Sequence, residues 1–204
     1  MIKNIVFDFG GVILTDDDIG VLFDNEELIN IFPNKEKEFY DSWEKNWKDV
    51  AENRINIFEF YNNLQKDAVG FIDKELSKHL FEIYKNKTHI LDPYVLLPKL
   101  KENYKLFALT NIFKEGLEFK INKYKLKSYF EEIISSCGEA ISKADPEIFK
   151  TLIKKCAIDP KESLYIDDRE KNIIAANKLG FETFQYKEIG ELKEKFKEVG
   201  IIYE

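Results

Sequence analysis

Acidic and hydroxyl side chains stand at the ends of three short apolar segments of this 204-residue chain. Asp8 follows a segment that ends at Phe7, Thr110-Asn111 end a second segment, and Asp167-Asp168 end a third. A carboxylate can attack phosphorus to form an acyl phosphate, and several carboxylates together can hold a hard divalent cation. If the segments are parallel strands, these groups meet at one edge of a sheet, where ligands bind.

The rest of the chain supplies the strands and helices that such a site needs. Apolar runs with few breaks predict five strands, at 2–7, 105–109, 133–135, 163–166 and 182–185. Helical patterns lie between them, notably Pro146 to Cys156 and Glu170 to Leu179, the second closed by Gly180. Strands that alternate with helices predict an α/β fold with a parallel, Rossmann-like sheet.

A helical insert separates the first two predicted strands. Apolar residues recur every three or four positions in 36–48, 57–65 and 74–84, whereas 16–87 contains no strand-like run. We expect an α/β core formed by residues 1–15 and 91–204, and a small helical-bundle cap domain of about four helices formed by 16–90. Asn53 and Asn56 predict a turn between two of these helices. Trp43 and Trp47, four residues apart, favour packing along one helix face.

Composition excludes several classes of function. The chain has 31 basic and 38 acidic residues, a net charge of −7, so we expect no nucleic-acid partner. No apolar run approaches the roughly 20 residues that cross a bilayer, which predicts no membrane partner, and the N-terminal residues do not resemble a signal peptide. Two cysteines that predict no disulfide framework indicate a cytoplasmic location. With His79 and His89, both cysteines receive structural roles.

Four motifs in order resemble those of the haloacid dehalogenase (HAD) superfamily. They are Phe7-Asp8-Phe9-Gly10-Gly11-Val12, Leu109-Thr110-Asn111, Lys143-Ala144-Asp145-Pro146-Glu147-Ile148-Phe149, and Ile166-Asp167-Asp168 with Asn172, Ala176 and Gly180. The helical insert after the first motif is similar to the small α-helical cap found in part of that superfamily. The resemblance covers nearly the whole chain, and it implies a hydrolase.

The resemblance implies Asp8 as the nucleophile of a phosphatase that depends on Mg²⁺. Asp8, Asp167 and the carbonyl of Gly10 are the expected metal ligands, with Asp168 as a further ligand or as a group that orients them. The cation relieves the repulsion between the carboxylate and the phosphate. Asn172 is expected to brace the loop of Asp167-Asp168.

The phosphoryl group is expected to contact residues from three motifs. Thr110 donates its hydroxyl, and Lys143 brings a positive charge to the phosphoryl oxygens and to Asp8, so we count both as catalytic. Asn111 completes the polar contacts, and Gly10 and Gly11 let the backbone approach the anion.

Two positions depart from the pattern of the superfamily. Gly10 stands where its phosphatases usually carry a second Asp, the general acid, so a substitute or a slower reaction is expected. Candidate substitutes are Asp16, Asp17 and Asp18, or a metal-bound water, although a helix N-terminus explains these three acids more simply. Ala144 replaces the usual Pro, which loosens the loop that carries Lys143.

The sequence favours a Mg²⁺-dependent phosphatase that acts on a small phosphorylated metabolite, such as a sugar phosphate, through an aspartyl-phosphate intermediate. A cap that closes over the site would exclude large substrates. One alternative is a 2-haloacid dehalogenase, against which the pair Asp167-Asp168 argues because it suits a cation better than a halide. A second is a catalytically weak or inactive binding protein, suggested by Gly10.

Overall fold

A computed structural model gives the fold and describes residues 1–15 and 32–203. Its sheet contains five parallel strands in the order β3-β2-β1-β4-β5. The strands are β1 (Asn4–Phe7), β2 (Lys105–Thr110), β3 (Glu132–Ser135), β4 (Ser163–Asp167) and β5 (Glu182–Gln185). The predicted α/β fold is therefore confirmed. Because β1 lies between β2 and β4, the three segments that end in polar residues are neighbours.

Both faces of the sheet are buried. Ile5 and Phe7 of β1 pack into an apolar cluster on one face, while Val6 packs with Tyr165 in a second cluster on the other. Successive residues of a strand point to opposite faces, so a strand covered on both sides must be apolar throughout. This explains why the strands read as continuous apolar runs.

Three helices lie in the described part of the predicted insert, between residues 32 and 90. They are α1 (Glu36–Ala51), α2 (Ile57–Val69) and α3 (Lys74–Lys87). The predicted turn is confirmed, because Asn53 has a positive φ of 58° and Asn56 caps α2 by accepting a hydrogen bond from the backbone N–H of Glu59 at 2.9 Å. The helices enclose an apolar core of their own, centred on Phe39, Trp43, Phe60 and Leu80.

Further helices and turns connect the strands. The helices are α4 (Leu97–Asn103), α5 (Lys114–Lys123), α6 (Ser136–Glu139), α7 (Glu147–Cys156), α8 (Glu170–Lys178) and α9 (Ile189–Glu198), and the 3₁₀ turns are Asp92–Leu96, Leu126–Ser128 and Pro160–Glu162. Gly180 has a φ of 92° just beyond α8, as expected of a glycine that ends a helix. None of the described helices is long and apolar enough to cross a membrane.

The chain passes between sheet and helices through two paired segments. The backbone N–H of Thr15 donates to the carbonyl of His89 at 3.0 Å, and that of Leu91 to the carbonyl of Ile13 at 3.0 Å. Apolar packing also crosses here, since Phe113, which follows β2, lies 5.0 Å from the Tyr84 ring. The division into a core and a cap formed by 16–90 stays a prediction, and residues 16–31 lie outside the described ranges.

Candidate active site

Asp8 lies at the carboxyl end of β1 with a nearly buried side chain. Its Oδ1 accepts a hydrogen bond from the backbone N–H of Phe9 at 2.6 Å. Its Oδ2 lies 2.6 Å from the Nζ of Lys143. The register pairs Phe7 with Ile166, so the next residues, Asp8 and Asp167, end adjacent strands at the same level. The central strand thus delivers a carboxylate whose position is set by two contacts.

Lys143 connects two of the predicted acids. Its Nζ also lies 2.7 Å from Oδ2 of Asp167, and the side chain is buried. The loop is held on both sides of this lysine. The backbone N–H of Lys143 donates to Oδ1 of Asn111 at 2.8 Å, and that of Ser142 donates to Oε1 of Glu52 at 3.3 Å. These hydrogen bonds support the loop despite Ala144.

Asp167 accepts hydrogen bonds at both carboxylate oxygens. Oδ1 receives the backbone N–H of Arg169 and the side-chain amide of Asn172, each at 2.9 Å. Oδ2 receives Lys143, the hydroxyl of Tyr165 at 2.5 Å, and the same amide at 3.0 Å. Asn172 therefore braces this acid, as expected. With five hydrogen bonds, Asp167 is nearly saturated as an acceptor.

The buried charges shift one another's pKa values. Burial raises the pKa of Asp8 to about 8, because desolvation of the carboxylate outweighs the attraction of Lys143. Burial acts against the charge of Lys143, but Asp167 and Asp8 together hold the pKa of this lysine above its usual value. Burial also acts on Asp167, yet Lys143 and the hydrogen bonds keep the pKa of this acid low. The arrangement favours a lysine cation paired with an ionised Asp167, whereas the charge of Asp8 depends on what binds beside it.

Asp168 completes an acidic cluster beside Gly11. Carboxylate oxygens of Asp8, Asp167 and Asp168 lie within 4.8 Å of one another. Gly11 has a φ of 70°, and a Cβ at this position would lie 2.7 Å from Oδ2 of Asp168. A side chain at position 11 would therefore collide with the acid, so this position needs glycine both for its backbone conformation and for space.

A cavity of about 70 Å³ opens at this edge of the sheet. It is lined from the ends of β1 and β2 and from the lysine loop by Asp8, Gly10, Asn111 and Lys143. Residues that follow β4 also contribute, namely Arg169, Lys171 and Asn172, and α1 contributes Trp43, Glu44 and Trp47. The cavity thus lies between α1 and the acidic cluster.

The structure places half of the predicted site residues on the cavity wall. Asp8, Gly10, Asn111 and Lys143 line the cavity, whereas Gly11, Thr110, Asp167 and Asp168 are not among the lining residues. Asp167 and Asp168 join Asp8 in the acidic cluster, and Thr110, the last residue of β2, is 1% exposed. The candidate acids Asp16, Asp17 and Asp18 lie outside the described residues.

Sequence analysis did not assign Glu44, Arg169 or Lys171 to the site. Their charges look like ordinary solvated side chains in the sequence, and no motif marks them. Trp43 and Trp47 do pack on one helix face, with ring centroids 5.1 Å apart, but they also line the cavity. Their four-residue spacing predicted a shared helix face, but it could not show that this face lies beside the cavity.

Comparison with known proteins agrees with this geometry. A family model of haloacid dehalogenase-like hydrolases matches residues 2–180. The chain belongs to this family. A relative of this HAD-like hydrolase in Bacteroides thetaiotaomicron, a D-ribitol-5-phosphate phosphatase, is 30% identical over 91% of this chain and 92% of its own.

Solved structures of HAD enzymes share the fold. A HAD family enzyme of Bacteroides thetaiotaomicron in complex with magnesium and inorganic phosphate superimposes with a TM-score of 0.75 at 26% identity, over 94% of this chain and 99% of that one. The L-2-haloacid dehalogenase of Xanthobacter autotrophicus superimposes with a TM-score of 0.68 at 15% identity, over 99% of this chain and 85% of that one. The second likeness shows a common fold alone.

Proposed function

We propose that this HAD-like hydrolase is a Mg²⁺-dependent phosphatase that hydrolyses monoesters of a small phosphorylated metabolite, such as a sugar phosphate. The observation that carries the proposal is the buried Asp8 carboxylate, which lines a cavity and lies 2.6 Å from the ammonium of Lys143. A nucleophile beside a fixed positive charge suits attack on a phosphoryl group. The similarity to a sugar-alcohol phosphatase and to an enzyme solved with phosphate supports the same chemistry.

The reaction divides into two displacements at phosphorus. A carboxylate oxygen of Asp8 attacks, a bond from this oxygen to phosphorus forms, and the bond to the ester oxygen breaks as that oxygen takes a proton. Water then attacks the aspartyl phosphate, which releases inorganic phosphate and restores Asp8. Lys143 offsets the negative charge that accumulates on the phosphoryl oxygens. Thr110 and Asn111, with the backbone at Gly10 and Gly11, are the proposed further contacts of the phosphoryl group.

The donor set fits Mg²⁺. Three carboxylates gather within 4.8 Å, and two of them share one ammonium, so the cluster carries surplus negative charge and offers hard oxygen ligands. When bound, the cation neutralises charge on the nucleophile and the phosphate. Asp8, Asp168 and the carbonyl of Gly10 would hold it. Asp167 already accepts five hydrogen bonds, so we propose that it orients the other acids and does not bind the cation directly.

The acidic cluster argues against the alternative of a 2-haloacid dehalogenase. A dehalogenase must accept a carboxylate substrate and release a halide, and three clustered carboxylates repel both. Chloride release from 2-chloropropionate without metal, lost in Asp8→Asn, would establish that alternative. An inactive binding protein would retain its fold and show no burst of acyl-phosphate formation.

The test is phosphate release from a panel of phosphorylated metabolites with Mg²⁺ present. We expect turnover of at least one short sugar or polyol phosphate, and a loss to below about 1% in Asp8→Asn, because this substitution removes only the attacking group. Asp41→Asn, at an exposed acid of α1 that does not line the cavity, is the matched control. Activity in Asp8→Asn close to that of the control would contradict the proposed nucleophile.

A further inference from the structure

Helix α1 presents three neighbouring side chains to the cavity that contains the nucleophile. Trp43, Glu44 and Trp47 line it together with Asp8. The indole rings of Trp43 and Trp47 are stacked, with centroids 5.1 Å apart and planes inclined by 10°. Trp43 is buried, whereas Trp47 is partly exposed. Packing alone accounts for Trp43, but the partly exposed surface of Trp47 remains available to a ligand.

The two indoles are held in place from several sides. Phe60 of α2 meets Trp43 edge to face at 5.0 Å, and Phe113 meets Trp47 edge to face at 6.5 Å. A ring fixed by such contacts loses little conformational entropy when a ligand packs against it. The arrangement therefore forms a pre-organised apolar wall.

Glu44 adds a polar group to this wall. Within residues 1–15 and 32–203 it makes no hydrogen bond or ion pair. A carboxylate accepts hydrogen bonds strongly from hydroxyl groups and repels a second anionic group on a ligand. Carbon chains pack on indole rings through their C–H groups. Together the side chains suit a neutral, hydroxylated carbon chain.

The size of the cavity limits the length of that chain. Its volume is about 70 Å³, and one water-sized position needs roughly 10–15 Å³. The space holds a phosphoryl group and a few more atoms before a ligand reaches the open mouth. Drug-sized ligands occupy cavities of roughly 300–1,000 Å³, so the space that the described residues enclose favours a short chain over a nucleoside or flavin ring system.

We propose that Trp47 and Glu44 form the subsite for the non-phosphorylated end of the substrate, and that this end is a short acyclic polyol or open-chain sugar of about three to five carbons. The inference rests on the proposed phosphatase function and adds the residues that select the substrate. The hydroxyl groups of the chain donate to Glu44, and its C–H groups pack against Trp47.

Two esters that differ in their hydroxyl groups test the proposal. Ribitol 5-phosphate and n-pentyl phosphate both release a primary alcohol, but only the first can donate hydrogen bonds to Glu44. We expect Glu44→Ala to lower kcat/KM for ribitol 5-phosphate about 10-fold or more, the size of one charge-assisted hydrogen bond, and to change it less than about twofold for pentyl phosphate. Asp41→Ala, which removes an acid of the same helix outside the cavity, should leave both values unchanged.

Trp47→Ala tests the apolar part of the subsite. We expect KM to rise about three- to tenfold for both esters, since both have C–H groups, while kcat stays near that of the wild type. Tyr40→Ala, which removes an exposed ring of α1, is the control. Trp47→Phe, which keeps an aromatic ring, should restore most of the affinity if Trp47→Ala folds poorly.

The outcomes separate this inference from the function on which it rests. If the wild type hydrolyses neither ester nor any other phosphate monoester, the phosphatase function itself fails. If the wild type is active and Glu44→Ala loses activity equally toward both esters, the subsite is wrong, because a group that protonates the leaving oxygen would serve both alike. Unchanged kinetics in Glu44→Ala or in Trp47→Ala would also overturn it.

Discussion

Removal of a single hydroxyl group beneath the acidic cluster should weaken the site measurably. Tyr165 is fully buried, and its hydroxyl donates to Oδ2 of Asp167 at 2.5 Å. Burial and the neighbouring carboxylates raise the pKa of Tyr165 well above its ordinary value, so the hydroxyl keeps its proton and acts as a donor. Tyr165→Phe removes this donor and retains the ring, which packs 5.5 Å from Phe149 and 6.2 Å from Phe181.

The size of the effect follows from the remaining partners of Asp167. A hydrogen bond to a charged group contributes about 1.5–3 kcal/mol. Asp167 keeps four of its five hydrogen bonds, from Lys143, Asn172 and the backbone of Arg169, so it is not left unsatisfied. We therefore expect a loss at the lower end of this range, about 1.5 kcal/mol in the free energy of unfolding. If the hydroxyl also orients the cluster during the reaction, a loss of about 1.5 kcal/mol in transition-state stabilisation lowers kcat/KM about 10-fold.

Urea denaturation, phosphatase kinetics and Mg²⁺ titration calorimetry would measure these effects. Tyr61→Phe is the matched control, because Tyr61 is also fully buried but belongs to the apolar core of α1, α2 and α3. We expect the control to keep the kcat/KM and the Mg²⁺ affinity of the wild type. Tyr165→Phe should change both.

Two results would refute the reasoning. If Tyr165→Phe unfolds at the same urea concentration as the wild type and keeps its kcat/KM, the hydrogen bond to Asp167 carries no net free energy. If Tyr165→Phe is less stable but has unchanged kinetics and Mg²⁺ affinity, the hydroxyl is structural and does not orient the cluster.

Two further substitutions test the cluster from other directions. Gly11→Ala should weaken Mg²⁺ binding, measured by calorimetry, because its Cβ would lie 2.7 Å from Oδ2 of Asp168. Gly70→Ala is the control, since Gly70 also has a positive φ but nothing lies within 4 Å of its Cβ. An equal loss of Mg²⁺ affinity in both variants would exclude the collision with Asp168 as the cause. In metal-free buffer the wild type should lose stability relative to Asp8→Asn as the pH rises from about 4 to 8, by up to about 1.4 kcal/mol per pH unit. The reason is the raised pKa of Asp8, about 8, because the folded protein keeps a proton on this carboxyl that the unfolded chain has released. A stability difference in urea denaturation that stays constant with pH would contradict the raised pKa.

Local sequence determined the strands, the helices and the order of the site residues. The apolar runs that end at Asp8, Thr110 and Asp167 formed parallel strands of one sheet, because a strand covered on both faces must be apolar throughout. Asn56 and Gly180 likewise act within a few residues of their own positions. Such effects depend on backbone conformation and on side-chain periodicity, and a short segment of sequence is enough to predict both.

Tertiary structure alone decided what each buried group contacts. Glu52 accepts a hydrogen bond from Ser142, 90 positions away, and so links the helices to the loop that carries Lys143. The spacing of Trp43 and Trp47 indicated a common helix face, but only the tertiary structure placed that face on the cavity. Periodicity shows which side of an element is buried, whereas the partner on that side depends on how distant segments pack together.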